Sequence, residues 1–309
     1  MSVDDTYRGV WPVMLTPFDE NRQIDWESLK KLIDWYIVAG VHGLFANCQS
    51  SEMFFLSDDE SLRLTRFVVD YVDGRVPVVA SGHTACGIEQ QIEQLGKMAE
   101  TGVDSVIMIS NRLAMPSESD DLALANLKKI TAAITDKVGL GIYECPHPYK
   151  RLLSDAIVSW CAQSGRYTFI KDTCCQIETI RRRLALTQGS RLHIANANGQ
   201  TLLASLQAGA HGYSGVMANF HPELYVWLCE NWKTQPEKAL VVSDYLSTAS
   251  LAEHLDYPIC AKDYQRSLGN FKTVASRTRE AGNYYSAHFQ ANMQHMVRLG
   301  ETLKKQLGL

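Results

Sequence analysis

Residues 139–172 read GLGIYECPHPYKRLLSDAIVSWCAQSGRYTFIKD, and the succession of patterns in this stretch decides the fold. A short apolar run (139–144, GLGIYE) passes into a proline-containing loop, then into a segment of helical period (154–163), then into a second short apolar run (168–172, TFIKD). Strand, helix and strand in so few residues is the pattern of a βα unit, in which the helix returns the chain so that the two strands run parallel.

Outward from this unit the alternation recurs. Strand-like runs lie at residues 9–16 (GVWPVMLT), 42–47 (HGLFAN), 77–82 (PVVASG), 105–110 (SVIMIS), 191–197 (RLHIANA) and 212–216 (GYSGV), which with the first two makes eight. Between them lie amphipathic stretches at 25–39, 58–73, 87–101, 120–136, 177–187 and 201–208. In the first of these Leu29, Leu32, Ile33, Tyr36 and Ile37 recur at helical spacing, Asp25 stands where an N-cap belongs, and Gly40 follows where a C-cap belongs. Eight strands interleaved with helices predict an α/β fold of the closed (β/α)8 TIM-barrel type, for which about 250 residues is usual. The rival, a doubly wound open sheet, calls for a Gly-rich turn after the first strand, and Thr16-Pro17-Phe18-Asp19 stands there instead. From about Pro222 the strand signal ends, and the pattern is helical to Leu309 with breaks at Pro236 and Pro258. The expected organisation is a barrel over residues 1–221 and a C-terminal helical region over 222–309 packed on it.

The whole chain of 309 residues carries 30 Lys plus Arg against 34 Asp plus Glu, a net charge of −4, with no basic run suited to a phosphate backbone. Nucleic acid is not expected as a partner, and neither is a membrane, since no apolar stretch approaches the roughly 18 residues needed to cross one. The start, MSVDDTYRGV, has no basic and apolar leader pattern, so a cytoplasmic location is expected. The eight cysteines are scattered and lack paired metal-ligand spacing, which predicts reduced thiols and no metal site.

A barrel of this kind places its chemistry at the C-terminal ends of its strands. Lys171 ends the sixth run. On an inward-facing strand its amine would be desolvated and its pKa lowered toward a neutral nucleophile able to form a Schiff base, whereas an outward path would make it a lysine reaching for solvent. Tyr143 lies one strand earlier at a comparable depth, either a proton carrier or a core tyrosine. Ser50 and Ser51 at the mouth of the second strand could hold a carboxylate through hydroxyl and backbone N–H groups, or form an ordinary serine turn. His147 in the loop after the fifth strand either faces substrate or decorates the surface. Glu52 and Asp172 neighbour these candidates, and as loop-fixing acceptors they receive no proton-transfer role.

The ordered set of strand ends resembles the dihydrodipicolinate synthase and N-acetylneuraminate lyase family of Schiff-base-forming class I aldolases. The resemblance spans nearly the whole chain and rests on Val13-Met14-Leu15-Thr16-Pro17-Phe18, Ile24-Asp25, Asp73-Gly74-Arg75-Val76-Pro77-Val78, Tyr143-x-x-Pro146 and Ile170-Lys171-Asp172. It implies a TIM barrel with a C-terminal helical region, commonly a homotetramer, acting on a small-molecule 2-oxo acid through an imine, with no metal or cofactor. It also implies Lys171 as the imine-forming lysine, Tyr143 as the proton carrier, Ser50 and Ser51 in the carboxylate-holding loop, and Ser214 beside the pyruvyl part of the substrate.

The departures from the family pattern matter as much. Gln49 stands where a hydroxyl usually links the proton relay, and Leu113 where a tyrosine is usually presented to a neighbouring subunit. Pro148 replaces the arginine with which dihydrodipicolinate synthases recognise a second carboxylate, and Arg151 lies three residues further on. A typical dihydrodipicolinate synthase is therefore not expected. Asn196 and Asn198 offer amide groups where the hydroxyls of a sugar-acid chain could lie. The leading expectation is a lyase or aldolase that cleaves or forms a hydroxylated 2-oxo acid, with pyruvate as product or donor. A sugar-acid dehydratase using the same imine, and a non-catalytic barrel binding 2-oxo acids, are the alternatives.

Overall fold

The computed structural model describes residues 5–279 and 285–309. Eight parallel strands alternate with helices: β1 (Gly9–Val10), α1 (Trp26–Val38), β2 (Leu44–Phe45), α2 (Asp58–Val72), β3 (Val78–Ala80), α3 (Ile88–Ala99), β4 (Ser105–Ile109), α4 (Asp120–Ala133), β5 (Gly139–Tyr143), α5 (Asp155–Ser164), β6 (Tyr167–Asp172), α6 (Ile177–Thr187), β7 (His193–Asn196), α7 (Leu202–Gln207) and β8 (Gly212–Tyr213). Four more helices follow, α8 (Pro222–Asn231), α9 (Pro236–Ala249), α10 (Ile259–Ser267) and α11 (Ala287–Leu307).

The strands pair in the order β1-β8-β7-β6-β5-β4-β3-β2. A doubly wound sheet would reverse its strand order near the middle, and this one does not. The seam between β1 and β2 is bridged by the parallel pair Val13 and Phe45, with the Met14 N–H donating to the Phe45 carbonyl at 3.0 Å. The fold is the expected TIM barrel. At the β1/β8 seam a Cβ on Gly212 would lie 1.8 Å from the Gly9 carbonyl oxygen, so only glycine lets the strands meet there.

Several predicted strands shorten for a physical reason. In the 9–16 run Pro12 has no N–H to give the ladder, and pairing resumes only at Val13. In the 212–216 run the chain leaves β8 at Ser214 and turns into a 3-10 helix, Val216–Asn219. The predicted breaks fall at element starts: Pro236 opens α9, where a missing N–H costs nothing, and Pro258 immediately precedes α10. The helical expectation beyond Pro222 needs correcting between α10 and α11, where residues 269–279 are irregular; residues 280–284 of that expectation lie outside the described residues.

Two apolar layers result from the period-2 alternation of the strands. Val10, Leu44, Val78, Val106, Ile142, Ile170 and Ile194 face the helices. Trp11, Phe45, Val79, Ile107, Tyr143, Phe169 and Ala195 fill the barrel interior. The floor is aromatic: Tyr7 stacks on Trp11 at 5.5 Å between ring centroids and shares a 2.8 Å hydrogen bond with Ser105.

The irregular segment 269–279 is drawn to the mouth of β2 by Glu52. This carboxylate is buried, pairs with the equally buried Lys262 of α10, and accepts from the Ser276 hydroxyl at 2.9 Å and from the N–H groups of Arg277 and Thr278 at 2.6 and 3.0 Å. Backbone donors turned toward a carboxylate cannot also close helical turns, which accounts for the missing helix. Lys262→Met should destabilise the protein by about 3–5 kcal/mol in urea denaturation, because it strands a buried charge. The double variant Glu52→Gln/Lys262→Met should lose less than Lys262→Met alone.

Candidate active site

Tyr143 of β5 and Lys171 of β6 are register partners, side by side on the interior face of adjacent strands. Lys171 is buried, with its Nζ 4.1 Å from the centroid of the Tyr143 ring and 5.8 Å from that of Phe45. Desolvation in this aromatic chamber lowers the lysine pKa from its ordinary value, despite opposing contributions from Cys48, Cys145 and Glu253. Burial also holds the Tyr143 phenol well above its usual range, so it stays protonated at neutral pH. Its hydroxyl donates a long bond, 3.4 Å, to Gln49 Oε1, which the Cys145 thiol also approaches at 3.4 Å. Gln49 thus presents an amide oxygen beside the phenol.

The two strands carrying this pair are clamped from behind. Arg183 of α6 is buried and donates to Glu144 Oε1 at 2.6 Å, to the Leu153 carbonyl at 2.9 Å and to Asp172. Glu144 also accepts from the N–H groups of Leu153 and Thr173, each at 2.8 Å, and Asp172 from that of Cys174 at 2.9 Å. Glu144 follows Tyr143 and Asp172 follows Lys171, so one guanidinium fork fixes both strand ends one residue beyond the reactive groups. Asp172 therefore shapes a loop. Glu144 and Arg183 escaped the sequence reading because an arginine on a helix gives no sign that it is buried.

The remaining predicted residues divide. Ser50 is buried at the mouth, close enough to the Tyr257 phenol to influence its titration, and that phenol accepts from Asn219 Nδ2 at 3.2 Å. The Ser51 hydroxyl is committed to the loop: it lies 2.7 Å from the Met14 carbonyl and 3.1 Å from that of Ala46, and accepts from the Cys48 N–H at 3.2 Å. Ser214 is fully buried, with its hydroxyl unpartnered among the described residues. His147 is exposed at the rim, its ring edge-on to Phe54 at 5.0 Å.

The asparagines require a correction. Asn196 Nδ2 donates to Thr201 and Ser205 at 2.9 and 3.1 Å, and its Oδ1 accepts from the Asn198 N–H at 2.9 Å. Asn198 Oδ1 accepts from the N–H and hydroxyl of Thr201, and its Nδ2 donates to Gln200 at 2.5 Å. Both side chains fold the β7–α7 loop, because a strand-end amide meets the next turn before it meets a ligand. Arg151 is likewise spent, on Asp120 at 2.7 Å and on the carbonyls of Met115 and Glu118. Leu113 is buried in its own chain's core. Two mouth residues were missed, Tyr257 and Glu253, both in the stretch between α9 and α10 that reads in sequence only as helical. Among the described residues no group of three or more His, Cys, Asp or Glu side chains is placed to hold a metal ion, and no helix is long and apolar enough to cross a membrane.

A TIM barrel presenting a desolvated lysine beside a protonated phenol at the C-terminal ends of its strands defines the class of carbonyl-processing barrel enzymes. The chain belongs to the dihydrodipicolinate synthetase family, whose model it matches over residues 6–253, and is a Schiff-base-forming lyase of that family, of the aldolase or hydro-lyase kind. It is 29% identical over 232 residues to the putative 2-dehydro-3-deoxy-D-gluconate aldolase YagE of Escherichia coli K12, covering 74% of each chain. It is 26% identical over 226 residues to the 4-hydroxy-tetrahydrodipicolinate synthase of Teredinibacter turnerae, covering 72% of this chain and 75% of that one. In structure it superposes on YagE from E. coli K12 in complex with pyruvate with a TM-score of 0.83 at 22% identity, over 96% of this chain and 99% of that one. A monomeric dihydrodipicolinate synthase variant gives a TM-score of 0.83 at 22% identity, over 99% and 98% of the two chains. These low identities fit a chain that is not a typical dihydrodipicolinate synthase.

Removing the clamp should be costly. Arg183→Met leaves two buried carboxylates facing each other, and a loss of about 3–5 kcal/mol is expected in chemical denaturation. Arg183→Lys, which keeps the charge but loses the fork, should lose less.

Proposed function

We propose that the protein is a class I aldolase that cleaves or forms a hydroxylated 2-oxo acid, with Lys171 forming the imine, Tyr143 carrying protons, and pyruvate as the product or donor. The observation that carries this reading is the burial of the Lys171 amine against the Tyr143 ring at 4.1 Å, in a chamber that favours a neutral nucleophile. The pyruvate complex of YagE supports the choice of a 2-oxo acid.

The steps follow from the groups present. Neutral Lys171 adds through Nζ to C2 of the substrate, and the resulting carbinolamine loses water when Tyr143 protonates its hydroxyl. In the cleavage direction the C4 hydroxyl gives its proton to the Tyr143 phenolate left by that dehydration, the C3–C4 bond breaks to release an aldehyde, and its electron pair flows into the protonated imine to give an enamine, to whose C3 Tyr143 can return the proton. Protonation of the enamine at C3 and addition of water at C2 return the lysine and free pyruvate. Ser50 and the backbone of its turn receive the substrate carboxylate, with Ser214 beside the pyruvyl portion. The Ser51 hydroxyl shapes that turn. The homotetramer implied by the family resemblance belongs to the same reading, and light scattering on the purified protein tests it.

Borohydride reduction in the presence of pyruvate should leave a stable mass gain on the Lys171 peptide, and its absence with several 2-oxo acids would refute the assignment. Tyr143→Phe should retain some adduct but lower kcat by about 10²- to 10⁴-fold, the usual range for a lost proton carrier. Because the lysine pKa is lowered, the rate of adduct formation should rise with pH as the amine deprotonates and level off below the ordinary lysine value of 10.5.

A further inference from the structure

The 3-10 turn Ser250–His254 between α9 and α10 forms part of the roof over the β6, β7 and β8 side of the mouth. It packs on the turn Val216–Asn219 that follows β8. Ser250 Oγ accepts from Gln200 Nε2 of the β7–α7 loop at 2.6 Å, and the Ala252 carbonyl accepts from the Cys260 thiol at 3.6 Å. With Ala252 buried and Leu251 exposed, the turn has a fixed inner and outer side, and Glu253 is half-buried between them.

Glu253 is held in electrostatic reach of Lys171, and its carboxyl receives no hydrogen bond from a described residue. Burial pushes its pKa up to about 7, against the partial relief that the Lys171 ammonium gives. At the end of β8 the Ser214 hydroxyl is buried without a partner among the described residues. Gly212 pairs with the interior residue Ala195, and Ser214, two residues on, shares that inward side. The turn over the mouth thus holds a half-buried carboxyl that no described residue donates to. Arg151, the arginine nearest in sequence to the β5 end, is bound elsewhere.

Such a turn suits hydrogen-bond donors and repels anions. A carboxylate accepts two parallel O–H bonds from a vicinal diol, and a second carboxylate brought beside it would meet like charge. We propose that Glu253 is the specificity-determining residue for the distal part of the substrate, accepting hydrogen bonds from the hydroxyls beyond C4 of a polyhydroxylated 2-oxo acid and excluding substrates that end there in a carboxylate. This inference rests on the imine reading of Lys171, since the distal part is defined from the carbon bound to that amine.

The test uses the full chain and takes the reading first. If borohydride leaves no pyruvate adduct on the wild-type protein, the imine reading fails, and this inference with it. With the adduct present, kcat/KM for aldol addition of pyruvate is measured with glyceraldehyde, propanal and succinic semialdehyde as acceptors. A polar site that hydrogen-bonds its substrate rejects the analogue lacking the hydroxyls, so wild type should favour glyceraldehyde over propanal by at least about tenfold. E253Q should compress that ratio by about tenfold or more, E253D should retain part of it, and E253K should raise the succinic semialdehyde rate relative to glyceraldehyde. Equal preference for glyceraldehyde and propanal in wild type overturns the assignment. So does an equal loss with every acceptor in both E253Q and E253D, which would mark a merely structural residue.

Discussion

The register between β5 and β6 is the constraint on which the site depends. Strand side chains alternate sides, so a slip of one residue would send Lys171 or Tyr143 out of the barrel and into the helical layer. Arg183 opposes that slip by reaching the residue after each of them with one guanidinium. Burying a cation between two carboxylates is expensive unless its donors are used, and here the two terminal nitrogens meet Glu144, Asp172 and the Leu153 carbonyl, while Nε has no partner among the described residues. The arrangement fixes geometry more than it adds stability.

Acidic groups around the mouth therefore serve two ends. Glu52, Glu144 and Asp172 are saturated with donors and hold loops or the C-terminal segment in place. Glu253 is half-buried, accepts from no described residue and is in electrostatic reach of Lys171. The difference lies in their partners rather than in residue type, which is why burial and hydrogen bonding had to be read together to separate them.

The same distinction explains what was legible in the sequence. Strand periodicity carries over directly into alternate facing, so the barrel could be read from local pattern, whereas for Lys171 and Tyr143 position alone left two readings open and the family resemblance chose between them. Helix limits agreed closely because caps such as Asp25, Ser57 and Ser154 act within a turn of their own position. Asn196 and Asn198 stood at the right strand end, yet their amides are consumed by the following turn, and a one-dimensional pattern does not show whether a donor is already used. Tyr257 and Glu253 reach the mouth through tertiary packing, from a stretch of chain that follows the last strand and carries no local mark of where it folds back. The irregular segment before α11 was hidden for a related reason: a carboxylate far back in the sequence recruits its backbone.

The Arg183 fork also bears on how the barrel responds to thermal motion. Since β5 and β6 are joined beyond their reactive residues as well as along their ladder, displacement of one strand end carries the other with it. The loops above can breathe to admit or release a molecule while the spacing between amine and phenol stays nearly constant. Vibration of the rim is thereby uncoupled from the alignment of the reacting atoms.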